Sequence, residues 1–346
     1  MSLVLRGVDY GPVQCASGAM GWFGEGYWYH RWVPGLNWKG CSLVSKTTTL
    51  DAREGNMPLD DKGQAKELFP SCVVVKPRKG VVLNSVGLSG PGLRSLLETG
   101  EWQKQAEPFF LSVMSVAPDR ALAYPTEERH PSEDRLTEHA QIALMLEEFL
   151  QVGFQAPFAL QVNLSCPNTS HDPAEIAKEA WATLGVYHNL RTAFNIPIVP
   201  KFNVLYPIEA VAELQRRCDG ICISNTIPWG QLPADINWLG LFPRPDDGLS
   251  YEAEPHYYNI PDSPLKHLGG GGLSGRPLLP LVEEWVKAAR GRGVTLPINA
   301  GGGILRPRDV DVLVKAGADS VFLGSIAILR GWRVKSTIRR AHRLMG

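Results

Sequence analysis

The stretch Asn163-Leu164-Ser165-Cys166-Pro167-Asn168 sets a thiol between two amides at the end of an apolar run, residues 158–162. A cysteine so placed can serve as nucleophile or base, and each amide both donates and accepts hydrogen bonds. Pro167 restricts the backbone between the thiol and the second amide, which suits a site whose geometry must hold. The pattern recurs along the chain. Ala16-Ser17-Gly18, Lys46-Thr47, Lys201-Phe202-Asn203, Ser224-Asn225-Thr226, Gly301-Gly302-Gly303 and Gly324-Ser325 each close an apolar run. Any one of them reads equally well as an ordinary turn; the recurrence points to one shared face.

The residue types on that face suggest particular ligands. Lys46 and Lys201 end runs that point into one cavity, and a buried lysine needs an anionic partner or a shifted pKa. An anionic cofactor or a carboxylate substrate meets that need, and so does a Schiff-base lysine. The amides Asn84, Asn163, Asn168 and Asn225 suit a planar substrate rich in carbonyl and N–H groups. Glycines at 301–303 let backbone N–H groups approach an anion, and Arg306-Pro307 opens a helix whose positive end favours one. Gly324-Ser325 adds donors, so the last two loops read as a phosphate cradle.

Eight short apolar runs position these groups: 12–16, 42–47, 109–116, 158–164, 198–202, 220–224, 296–300 and 320–323. Helical spacing between them is clearest in Ile176, Ala180, Leu184, Tyr187 and Phe194, in Val211 and Leu214, and in Val310, Leu313 and Val314. Alternation of this kind over 346 residues predicts an α/β fold, a (β/α)8 TIM barrel whose C-terminal face carries the site. A doubly wound open sheet is the alternative, but Ala16-Ser17-Gly18-Ala19-Met20-Gly21 is a weak version of its glycine-rich first turn. We read residues 1–346 as a single domain with a barrel core at about 12–330. Two stretches interrupt the rhythm. Residues 22–38 form an aromatic-rich N-terminal extension with Trp22, Trp28, Trp32 and Trp38, expected to pack a barrel end or a subunit interface. A long loop at about 235–270, after strand six, should lie over the catalytic face.

Composition narrows the function. Lys+Arg and Asp+Glu balance at 35 each, which argues against a nucleic-acid or anionic-membrane surface. No run approaches the roughly 18–20 apolar residues of a membrane span, and the first residues lack a secretory core. The six cysteines show no metal-ligand or iron–sulfur spacing, so reduced thiols in a cytoplasmic enzyme without metal are expected.

Taken together these motifs resemble the dihydroorotate dehydrogenase family, flavin barrels that bind FMN. The resemblance runs from about Pro12 to Arg330. It includes Ala16-Ser17-Gly18, Lys46-Thr47-Thr48, Gly55-Asn56-Met57-Pro58, Asn84-Ser85-Val86-Gly87-Leu88, the cysteine loop, Ser224-Asn225-Thr226, Gly271-Gly272-Leu273-Ser274-Gly275 and the closing glycine loops. It implies FMN-dependent oxidation of dihydroorotate to orotate in pyrimidine biosynthesis. Cys166 would take the C5 proton while the C6 hydride goes to flavin N5. Cysteine rather than serine is similar to the soluble class 1 enzymes. Asn84, Asn163, Asn168 and Asn225 with Thr226 would hold the pyrimidine ring, and Val86-Gly87-Leu88 its carboxylate. Lys46 would serve substrate and flavin, and Lys201 the electron-rich flavin ring. Ala16, Ser17, Gly18, Thr47, Asn163, Ser224, Gly272, Gly302, Gly303, Gly324 and Ser325 complete the implied flavin site.

The family also implies either fumarate as electron acceptor or a partner subunit carrying electrons to NAD, and the aromatic stretch is compatible with a homodimer. Three features depart from the pattern. The segment between Asn225 and Gly271 is longer, with Trp229, Tyr251, Tyr257 and Tyr258 in the excess. Leu88 is followed by Ser89, and Ala300 by three glycines. A flavin oxidoreductase for another dihydropyrimidine is therefore the first alternative, and a Schiff-base lyase on a phosphorylated substrate a distant one. A barrel that binds flavin without turnover is a third.

Overall fold

The computed structural model describes residues 2–61, 63–116, 131–164, 173–243 and 260–346. The chain opens with a two-stranded hairpin, β1 (Val4–Leu5) and β2 (Val8–Asp9), then enters β3 (Val13–Cys15). There follow β4 (Val73–Lys76), β5 (Val81–Asn84), α1 (Leu93–Glu98), β6 (Phe109–Val113), α2 (Pro131–Leu150) and β7 (Phe158–Asn163). After α3 (Pro173–Val186) and α4 (His188–Thr192) come β8 (Ile198–Phe202), α5 (Ile208–Leu214), β9 (Ile221–Ile223), β10 (Ile227–Pro228) and α6 (Trp238–Leu241). The last part holds β11 (Gly272–Gly275), α7 (Leu278–Gly291), β12 (Ile298–Gly301), α8 (Pro307–Ala316), β13 (Ser320–Leu323), α9 (Ile326–Arg330) and α10 (Val334–Met345).

Seven strands form one parallel sheet in the order β3-β13-β12-β9-β8-β7-β6. The expected second strand, 42–47, bridges both of its edges. Gln14 pairs with Ser42 on one side, and Val44 with Phe110 and Thr48 with Val113 on the other, all in parallel. The ring thus closes, but this staved segment is stitched partly by side chains. The Val44 N–H donates to Cys15 Sγ at 3.1 Å and the Ser112 N–H to Ser45 Oγ at 2.9 Å, where main-chain carbonyls would serve in a regular ladder.

The barrel strands are buried along almost their full length, as both-faced burial in a parallel sheet requires. Arg306 and Gly317 bound α8 as the Pro-in, Gly-out signature predicts, with Gly317 left-handed at φ 108°. The hairpin β1–β2 seals the opposite end of the barrel. Leu5 is buried against Gly220, and Arg6 pairs with Asp219, the residues that lead into β9.

One layer was not expected. A four-stranded antiparallel sheet, order β10-β11-β5-β4, lies beyond the ends of the barrel strands. It has its own apolar cluster, in which Trp238 and Phe242 from the long loop pack with Ile227, Leu83 and Leu273. The described parts of that loop, up to 243 and from 260, therefore cover this sheet. Trp229 ties them together by donating Nε1–H to the Pro261 carbonyl at 3.1 Å. Tyr251, Tyr257 and Tyr258 lie outside the described residues.

The aromatic stretch 22–38 divides. Trp22 is buried, whereas Trp28 and Trp32 are 42% and 70% exposed on a short 3-10 turn, so only part of it packs a barrel end. Among the described residues no helix is long and apolar enough to cross a membrane, and no group of three or more metal-ligating side chains comes together.

Candidate active site

Parallel strands deliver their C-terminal residues to one rim, and the ladder fixes who meets whom. Asn163 at the end of β7 stands opposite Lys201 in β8, which stands opposite Cys222 in β9. Three residues on, Asn225 turns its side chain back across the rim and donates Nδ2–H to Asn163 Oδ1 at 3.0 Å. The Asn225 Oδ1 accepts the Thr226 N–H at 3.0 Å, which fixes which way round that amide sits. Asn163, Lys201, Ser224 and Asn225 are all buried.

Lys46 is the least satisfied group on this face. Its side chain is buried, and its Nζ has no hydrogen-bond partner among the described residues. The ammonium lies 4.4 Å from the centroid of the Trp22 ring. Burial pulls its pKa down to about 8, with Glu25 and Cys72 opposing the shift. Glu25 cannot come forward as a counter-ion without cost, because its carboxylate accepts the N–H groups of Trp22 and Phe23 at 3.0 and 2.7 Å. A buried cation of this kind gains stability from an anion or strong acceptors supplied by a ligand. Lys201, also buried, lies 5.9 Å from the Phe322 ring.

Hydroxyls extend the site down the barrel interior. Ser17 Oγ donates to the Ser45 carbonyl at 2.9 Å and lies 2.8 Å from Thr47 Oγ1, which in turn lies 2.9 Å from Ser112 Oγ. The loop 16–18 meets the last glycine loop directly: Ala16 N–H donates to the Leu323 carbonyl at 2.7 Å, and a Cβ on Gly324 would come within 2.9 Å of the Ala16 Cβ. Gly303, left-handed at φ 78°, sits where a Cβ would meet the Leu279 nitrogen at 2.7 Å, so only glycine fits there. The expected flavin loops 16–18, 302–303 and 324–325 thus end up side by side or on adjoining strands.

The small antiparallel sheet brings in the remaining expected residues. Gly272 pairs with Asn84 in register, and Asn84 Nδ2–H donates to the Gly272 carbonyl at 3.3 Å. Beyond Asn84 the chain turns through Gly87 (φ 73°) and Leu88 (φ 60°), both left-handed. No main-chain hydrogen bond of the described residues uses the N–H of Val86, Gly87 or Leu88. Asn56 buttresses this turn by donating Nδ2–H to the Ser85 carbonyl at 2.8 Å. Ser89 Oγ faces inward, accepting the Met57 N–H at 3.1 Å.

Cys166 and Asn168 lie outside the described residues. The five other cysteines are free, and each thiol is pushed up by burial, Cys15, Cys218 and Cys222 to about 12. None of those five is an activated thiol. Sequence reasoning missed Trp22 as the partner of Lys46; the only signal was its membership of the aromatic stretch.

No family model matches the chain. Among curated proteins it is 25% identical over 333 residues to the dihydroorotate dehydrogenase B (NAD(+)) catalytic subunit of Desulforamulus reducens, covering 95% of this chain and 87% of that one. It is 28% identical over 331 residues to the dihydroorotate dehydrogenase A (fumarate) of Lactobacillus delbrueckii subsp. bulgaricus, covering 93% and 85%. In fold it is similar to the dihydroorotate dehydrogenase of Eimeria tenella solved with ferulenol, with a TM-score of 0.59 at 15% identity over 100% of this chain and 87% of that one. The ligand-free form of that enzyme gives 0.56 at 20% identity, over 99% and 86%. The chain is thus similar over more than nine-tenths of its length, at 25–28% identity, to dihydroorotate dehydrogenases of the A and B types, and it shares the barrel fold of the solved ones.

Proposed function

We propose that this chain is an FMN-dependent oxidoreductase that oxidises a dihydropyrimidine, with dihydroorotate the favoured substrate. The observation that carries this is the buried, partnerless ammonium of Lys46 on the rim that also holds the Asn163–Asn225 amide pair. FMN, when bound, supplies the hydride acceptor for the substrate's C6. The residues fit such a group: Gly302, Gly303, Gly324 and Ser325 offer close backbone approach for a phosphate, with Gly272 at the edge of the small sheet. Ala16, Ser17, Gly18, Thr47 and Ser224 offer main-chain and hydroxyl groups. Lys46 and Lys201 supply positive charge that favours an electron-rich ring.

Around the substrate, the chain's own groups have separate tasks. Asn84, Asn163, Asn225 and Thr226, with Asn168, hold the ring's carbonyl and N–H edges in one plane. The uncommitted N–H groups of Val86, Gly87 and Leu88 receive the carboxylate, and Lys46 neutralises it. Cys166 accepts the C5 proton. A cysteine in that role works best as a thiolate.

The test is anaerobic. The purified chain loaded with FMN should lose its oxidised-flavin absorbance when dihydroorotate is added. A chain that takes up no FMN, or whose flavin stays oxidised, would sink the proposal. The small sheet and its covering Trp229, Trp238 and Phe242, close to Asn84, favour a second reading in which the substrate is a different dihydropyrimidine. Reduction by dihydrouracil but not by dihydroorotate would select it.

A further inference from the structure

A cluster of uncompensated charge stands on the outer flank of the glycine loops. A cavity of about 290 Å3 is lined by Arg276, Arg306, Arg330 and Arg333 together with Gly303 and Asp309. Asp309 is its one carboxylate and is already engaged. Its Oδ2 accepts the Leu305 N–H at 3.0 Å and its Oδ1 accepts Arg306 Nε–H at 2.9 Å. Arg330 donates to the neutral carbonyls of Leu329 and Pro77. Among the described residues neither Arg276, Arg330 nor Arg333 forms an ion pair.

Four arginines lining one hollow with a single carboxylate between them leave an excess of positive charge that favours an anion there. The planar fork of arginine matches phosphate oxygens two at a time. The excess of three positive charges exceeds the roughly −1.5 to −2 of one phosphate monoester near neutrality and is closer to that of two linked phosphates. The volume is near the lower bound of small-molecule pockets, roughly 300 Å3, and so exceeds what one ion needs. Gly303 forms both the wall of this cleft and part of the loop assigned above to a flavin phosphate.

We propose that the arginine cleft binds a diphosphate group. The terminal diphosphate of a nucleoside diphosphate, with roughly three negative charges near neutrality, matches that excess, and this source does not rest on the flavin reading. Arg276 and Arg333 are exposed and make no side-chain bonds to the described residues, so replacing them leaves the packing intact.

The test uses the full chain and its Arg276→Ala/Arg333→Ala variant, titrated calorimetrically with inorganic pyrophosphate and inorganic phosphate. Pyrophosphate should bind at least tenfold tighter than phosphate, and the double variant should lose at least tenfold of that affinity with its thermal midpoint unchanged. Pyrophosphate should bind the FMN-loaded chain as it binds the flavin-free chain; loss of pyrophosphate binding once FMN is loaded places pyrophosphate in the flavin phosphate loops and overturns the proposal. Equal affinities for wild type and variant in every titration overturn the proposal. A chain that takes up no flavin yet binds pyrophosphate through these arginines upholds it while the flavin reading fails. FMN loading with no response to pyrophosphate does the reverse.

Discussion

The indole of Trp22 lies over the ammonium of Lys46, 4.4 Å from ring centroid to Nζ. The ring favours the cation while supplying no hydrogen-bond acceptor, so the charge is tolerated without being neutralised. Trp22 is itself locked from behind, because the Trp102 indole N–H donates to its carbonyl at 2.8 Å. A ligand that brings an anion to this spot meets a lysine already stripped of water.

Replacing Lys46 by methionine should therefore stabilise the ligand-free chain, since the isosteric apolar side chain carries no buried charge. A gain of about 1–3 kcal/mol is expected, together with loss of flavin reduction. Thermal denaturation of both forms without flavin checks the first half, and anaerobic reduction the second.

The depressed pKa has a definite sign in stability. Below about pH 8 Lys46 is charged in the folded and unfolded chain alike, and the folded state bears the cost of burial. As pH rises from about 8 towards the ordinary lysine value of 10.5, the folded form loses its proton first, and that cost is relieved. Ligand-free stability at these pH values should fall less steeply for the wild type than for Lys46→Met. Denaturant titrations at pH 7.5 and 9.5 compare the two slopes.

The same titration governs ligand affinity with the opposite sense. Above about pH 8 the lysine must regain a proton before it can hold an anion, so dihydroorotate affinity should drop by up to about tenfold per pH unit there. Calorimetry in buffers of different ionisation enthalpy should register proton uptake on binding at pH 9. Trp22→Leu should move the onset of this fall to lower pH, because it removes the ring that favours the cation.

Cys166→Ser should slow flavin reduction by a factor of about 10²–10⁴ while FMN stays bound, the range expected when a general base is weakened. Cys15, Cys218 and Cys222 have thiols near 12 and stay protonated. Serine at Cys222 should leave the reduction rate close to that of the wild type. Stopped-flow reduction of the FMN-loaded variants separates the outcomes.

Asn225→Ala leaves the Asn163 Oδ1 buried without its donor. A loss of about 1–3 kcal/mol is expected in stability, in ring binding, or split between them. A raised KM with a modest change in kcat is the expected signature, and urea unfolding measures the structural share.

The barrel was legible because its strands are buried on both faces and appear as uninterrupted apolar runs, as in 158–162. The antiparallel sheet was not. Gly272–Gly275 has little strand character of its own, and its partner Asn84 lies 188 positions away in the chain. Lys46 could be singled out because a lysine ending an apolar run is unusual. Its contact with Trp22 depends on tertiary packing of a loop that has no period. The four arginines of the cleft are scattered between 276 and 333 on separate elements and form no motif.

The stitched segment 42–48 has a consequence for how the ring holds together. Cys15 and Ser45 stand in for main-chain acceptors beside the main-chain bonds that tie 42–48 to both neighbouring strands, and Lys46 sits on that same seam. Filling the site therefore acts as a fastener on a join of the wall that main chain and side chains share. Among the barrel strands, amide exchange along 42–48 should slow most on loading, in proportion to ligand concentration over Kd.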